Sequence, residues 1–97
     1  MATAGELRVY WIPQVPMSAF HVRVETVAEA HKLLCVLAKY DAFQFENNIK
    51  PDYCNAGGLQ VFEDGEWVEW YDKYDNRIDD IEEPEKYGID VSKYEIE

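Results

Sequence analysis

Hydrophobic and polar positions change period along the chain, and each change marks an element. Residues 7–12, Leu-Arg-Val-Tyr-Trp-Ile, are β-branched and aromatic and predict a strand, which Pro13 and Pro16 stop. Residues 19–24 alternate, with Phe20, Val22 and Val24 on one side and His21 and Arg23 on the other, as in a half-buried strand. Thr26 and Glu29 then have the spacing of a capping box, in which each side chain satisfies a free N–H of a helix's first turn. Val27, Ala30, Leu33, Leu34, Leu37 and Ala38 follow on one helical stripe, away from Glu25, Glu29, Lys32 and Lys39. The helix is expected over 26–40, ending at Tyr40-Asp41.

Phe43-Gln44-Phe45-Glu46 alternates again and predicts a short strand. Residues 47–58 hold Pro51, three asparagines and a Gly-Gly pair, and predict a long loop of the kind that often binds something. The clearest hairpin comes next. Residues 59–63 and 66–71 flank Asp64-Gly65, a dipeptide suited to the positive φ angles of a type I′ turn. A two-residue turn fixes the register: Glu63 faces Glu66, Phe62 faces Trp67, Val61 faces Val68, Gln60 faces Glu69 and Leu59 faces Trp70. Leu59, Val61, Val68 and Trp70 then share the face that packs on the helix, and Gln60, Phe62, Trp67, Glu69 and Tyr71 share the other. Residues 73–76 predict a further turn that brings Arg77 and Ile78 back beside Trp70. After Asp79 the pattern fades, and Pro84 and Gly88 break regular structure. This acidic segment, 79–97, either wraps the sheet or is in part disordered.

The elements sum to one α+β domain over residues 1–97, an antiparallel sheet of four to six strands packed on one α-helix. A hydrophobic content of 47% suits a globular chain. No apolar run approaches the ~18 residues of a membrane span, and residues 1–6 lack the basic and apolar regions of a signal peptide. A cytoplasmic location is expected, with Cys35 and Cys54 as reduced thiols.

Charge sharpens this picture because it is one-sided. Residues 1–50 hold five basic and five acidic side chains and residues 51–97 hold four and fifteen, so the formal charge of −11 belongs wholly to the second half. That half also carries Phe62, Trp67, Trp70, Tyr71, Tyr74, Tyr87 and Tyr94. Such a surface repels phosphate, which argues against nucleic acid as a direct partner. It suits a protein partner with a basic surface.

Candidate chemistry narrows the reading further. An EF-hand loop begun at Asp72 needs an oxygen ligand at position 74 and glycine at 77, where the chain has Tyr74 and Arg77. The cysteines and histidines lack zinc spacing, so no metal or cofactor is expected. His21 and His31 have no nucleophile at a recognisable elbow, and Cys35 is flanked by Leu33, Leu34, Val36 and Leu37, as an inert buried thiol would be. Catalysis is not expected. Two binding constellations remain. One is the hairpin surface, with Phe62, Glu63, Asp64, Glu66, Trp67, Glu69, Tyr71 and Asp72 as partner-binding residues, and Asp75, Asp79 and Asp80 adding charge. The alternative is a pocket lined by the 47–58 loop, with Asn47, Asn48, Lys50, Tyr53, Asn55 and Trp67 holding a small nucleotide-like ligand, within one chain or between two copies of it.

The stretch Phe45 to Leu59, followed by Val61 to Tyr71, resembles small acidic proteins of phage and prophage genomes. The resemblance implies a host-cell setting, the host cytoplasm for a phage-encoded chain. It further implies either a non-catalytic inhibitor that covers a host defence factor or a sponge for a cyclic nucleotide or ADP-ribose signal.

Overall fold

The computed structural model describes residues 2–47, 55–81, 84–90 and 94. Four strands, β1 (Leu7–Ile12), β2 (Phe20–Val24), β3 (Ala56–Glu63) and β4 (Glu66–Glu69), form one sheet in the order β2-β1-β3-β4, with every neighbouring pair antiparallel. The helix α1 spans Val27–Glu46 and packs on one face. This is the α+β arrangement that the periodicities predict.

The core forms where the two periods meet. Val9 and Leu59 are direct partners across β1 and β3, and with Val24, Ala30 and Ile78 they make the buried cluster. Leu7, Val27, Leu33, Leu34, Leu37, Trp70 and Ile81 pack around it. Leu59 has no exposed surface, and burial of such a side chain is worth about 1.5–3 kcal/mol. Trp70 joins this face as the register requires, and its N–H donates to the Leu59 carbonyl at 2.9 Å. Val61 and Val68 are only half-buried, and Ala38 of the predicted helical stripe is exposed.

The helix begins as predicted. Thr26 is extended at φ −136°, and its hydroxyl accepts from the Glu29 N–H at 3.0 Å. It does not end at Tyr40-Asp41, and residues 43–46 are helical, not a strand. Asp41 continues the inward stripe: it is buried, and its carboxylate accepts from the Asn55 side-chain amide. Asn47 closes the helix, its own side-chain amide donating to the Phe43 carbonyl at 2.8 Å.

The predicted loop is also shorter at its far end, because Ala56, Gly57 and Gly58 already belong to β3. Aromatic rings of β1 explain why glycines stand in a strand here. Gly57 and Gly58 are the partners of Trp11 and Tyr10, whose rings lie across them, and a Cβ on Gly58 would sit 2.7 Å from the Tyr10 hydroxyl oxygen. Residues 48–54 lie outside the described residues, so most of the loop is not described.

The hairpin turn is as predicted, with Asp64 and Gly65 both at positive φ (52° and 83°) and the register of β3 and β4 matching residue for residue. β4 ends at Glu69, leaving Tyr71 beyond the strand. A tight turn follows over 72–76, and among the described residues beyond it the regular elements are short 3-10 helices at Ile78–Asp80 and Pro84–Tyr87. Ile78 enters the core cluster against which Trp70 packs, and Tyr87 meets Trp70 edge-on at 5.9 Å between ring centres. Among the described residues no helix is long and apolar enough to cross a membrane.

Candidate functional site

The alternation that turns Leu7, Val9 and Trp11 toward the helix turns Arg8 and Tyr10 away from it. The register does the same for His21 and Arg23 of β2, Gln60 and Phe62 of β3, and Trp67 and Glu69 of β4. These side chains occupy the sheet face opposite α1. Their backbone neighbours form a row, Arg23 beside Arg8, Arg8 beside Gln60, and Gln60 beside Glu69.

Trp67 is the centre of this face. Phe62, its cross-strand partner, meets it edge-on with ring centres 5.2 Å apart, and such pairs are worth about 0.5–1.5 kcal/mol beyond their burial. Two guanidinium groups lie over the same indole, Arg8 at 4.4 Å and Arg23 at 4.9 Å from the ring centre. Each arginine is fixed by a second contact. Arg8 donates through Nε to Gln60 at 2.7 Å, and Arg23 forms an ion pair with Glu6. Burial and the nearby Arg23 charge lower the Arg8 pKa, and burial and Arg8 lower that of His21.

At the far side of the face Tyr10 donates its hydroxyl to Glu69 at 2.9 Å. Burial first, and then this carboxylate, push the Tyr10 phenol up to about 12. Glu69 also faces Arg77 at 3.9 Å. The hairpin tip carries the exposed acids Glu63, Asp64 and Glu66. Glu63 and Glu66 are direct cross-strand partners, an arrangement that costs stability because like charges oppose each other.

Of the predicted partner-binding residues, Phe62, Glu63, Asp64, Glu66, Trp67 and Glu69 thus lie on or beside one surface. Tyr71 is exposed past the end of β4. Asp72 is different: it is buried, and its carboxylate accepts from the Tyr74 and Asn76 N–H groups at 2.8 and 2.9 Å. Burial pushes its carboxyl up, but these donors outweigh burial and hold it below its ordinary value. Asp72 shapes the turn from a buried position, unlike the exposed acids of the hairpin tip.

Of the alternative set only Asn47, Asn55 and Trp67 are among the described residues, and these three do not come together. Asn47 caps the helix, and Asn55 is bonded to Asp41 of α1, on the side of the sheet opposite Trp67. Asn48, Lys50 and Tyr53 lie outside the described residues. On the helix side a cavity of about 530 Å³ is lined by residues that include Trp11, His31, Cys35, Asn55, Arg77 and Asp79. There His31 Nδ1 lies 3.1 Å from the Tyr94 hydroxyl and 3.9 Å from Cys35 Sγ. Burial raises the Cys35 thiol, opposite to the shift that activates a nucleophile. Among the described residues no three His, Cys, Asp or Glu side chains come together as a metal site.

The arginines are legible in the sequence only in part: if residues 7–12 and 19–24 extend the hairpin sheet, Tyr10 or Arg23 lies near the aromatic pair. What single strands could not give is that Arg8 and Arg23 both reach Trp67, since this depends on the order β2-β1-β3-β4. The predicted acidic and aromatic surface therefore has a basic centre and an acidic tip.

Comparison with known proteins identifies the company this chain keeps. The family model for superinfection exclusion gene product 17 matches residues 6–88. The superinfection exclusion protein of Salmonella phage P22 is 49% identical in an alignment covering 68% of this chain and 77% of that protein. No solved structure matches the chain. The match runs from Glu6, the ion-pair partner of Arg23, to Gly88 and so takes in the whole open face.

Proposed function

We propose that this chain, which belongs to the superinfection exclusion gene product 17 family, acts in superinfection exclusion as a non-catalytic protein that binds and inhibits a host factor through the open face of its sheet. The observation that carries the reading is Trp67, fixed by Arg8, Arg23 and Phe62 on the face that the helix leaves bare. A large aromatic side chain already held in place loses little entropy on binding, and Trp and Arg dominate the energetics of protein interfaces. The exposed Glu63, Asp64 and Glu66 at the tip supply long-range attraction to a basic partner surface and set its orientation. The cost of opposing Glu63 and Glu66 is understandable if the pair serves binding and not folding.

The test is exclusion of a second phage by cells that express the chain. Trp67→Ala is expected to lower exclusion at least about tenfold, and the triple variant E63Q/D64N/E66Q to lower it with an unchanged melting temperature. Exclusion that survives both variants at full strength would overturn the reading. The triple variant changes exposed side chains only, so it separates loss of binding from loss of fold.

A further inference from the structure

The outer side of α1 carries an apolar ridge. The core side is Val27, Ala30, Leu33, Leu34 and Leu37. At about 100° per residue, the side facing away from the core carries Lys32, Val36, Lys39, Tyr40, Phe43 and Glu46, all of them exposed. Val36, Tyr40 and Phe43 stand at i, i+4 and i+7 and are 37%, 58% and 53% exposed. A helix face turned to solvent is ordinarily polar along such a stripe, and a contiguous exposed apolar stripe marks an interaction surface.

We infer that a second copy of the chain occupies this ridge, with α1 packed antiparallel on α1 about a twofold axis between residues 39 and 40. The sequence of the ridge is self-complementary about that point. In a twofold contact residue i meets j and j meets i. An axis there sets Val36 against the partner's Phe43 and brings Tyr40 to the centre. Lys32, Lys39 and Glu46 are spaced by seven and so share one flank of the ridge. Reversal of the second helix brings each Lys32 to a Glu46 and sets Lys39 near its own copy.

Charge favours the same occupant. The net −11 resides in residues 51–97, whereas on this side of α1 Glu29, Lys32, Lys39 and Glu46 cancel, leaving Asp90 beside Lys32 as one further negative charge. Two copies therefore meet here with less repulsion than through the acidic hairpin. The contact is one helix pair about 30 Å long, which belongs at the small end of stable interfaces. It forms a weak dimer whose population rises with concentration.

Sedimentation equilibrium over a wide concentration range tests this directly. Wild type is expected to show a monomer–dimer equilibrium, and Y40S/F43S to raise the dissociation constant at least about tenfold with unchanged circular dichroism. K32E and E46K alone are each expected to weaken the dimer, and K32E/E46K together to restore it. K39Q is expected to tighten it by removing the like-charge contact at the axis. A chain that stays monomeric at every concentration, a dimer indifferent to Y40S/F43S, or a double charge swap no stronger than the single ones would each overturn the inference.

Discussion

His31 shows how one side chain couples this fold to pH. It is half-buried on α1 against Tyr94 and Cys35, and burial lowers its pKa below the ordinary 6.5. The neutral ring is favoured in the folded state, so the unfolded chain takes up the proton first as pH falls. The contribution of His31 is complete above pH 6.5 and declines as pH drops from there toward the lower folded pKa. His21 adds to the decline with the same sign, through burial and the charge of Arg8. The melting temperature is expected to fall between about pH 7.5 and pH 5.5, and His31→Gln is expected to flatten that fall. A wild-type melting temperature that is level across this window would show that the histidines titrate alike in both states.

At the scale of elements, β3 is held down by its neighbour. Tyr10 lies over Gly58 on the open face, and from there its hydroxyl reaches Glu69. Gly58→Ala puts a methyl group into the ring and is expected to cost about 1–3 kcal/mol, read as a lower midpoint in urea unfolding. It is also expected to lower the phenol pKa of Tyr10 from about 12, because the displaced ring loses both burial and its carboxylate. The same glycines explain what the sequence leaves illegible. Gly-Gly after an asparagine-rich stretch reads as loop, and only the rings of β1, distant in sequence, make it strand. Likewise Phe43 and Phe45 alternate as a strand would, yet Asp41 binds Asn55 and carries α1 through them. What was legible had local causes: the Thr26 cap, the Asp64-Gly65 turn and the hairpin register that places Phe62 and Trp67 together.

Across the whole molecule, charge is segregated by face. Glu63, Asp64 and Glu66 crowd the hairpin tip, Arg8 and Arg23 hold the centre of the open sheet, and the outer helix is near neutral. Folding draws a net −11 into a small volume, and this self-repulsion opposes the compact state. Salt screens such repulsion within about 10 Å at 0.1 M, so the melting temperature is expected to rise with sodium chloride from low ionic strength. A fall would mean that the ion pairs of Arg23 with Glu6 and Arg77 with Glu69 outweigh the repulsion. The position of β4 in the sheet has a further consequence. Among the described residues it is an outermost strand of the sheet, the kind of border onto which strands of other chains can add. β4 is four residues long and begins and ends in glutamate, so each copy's border repels the next. Sheet growth from chain to chain is disfavoured at that border.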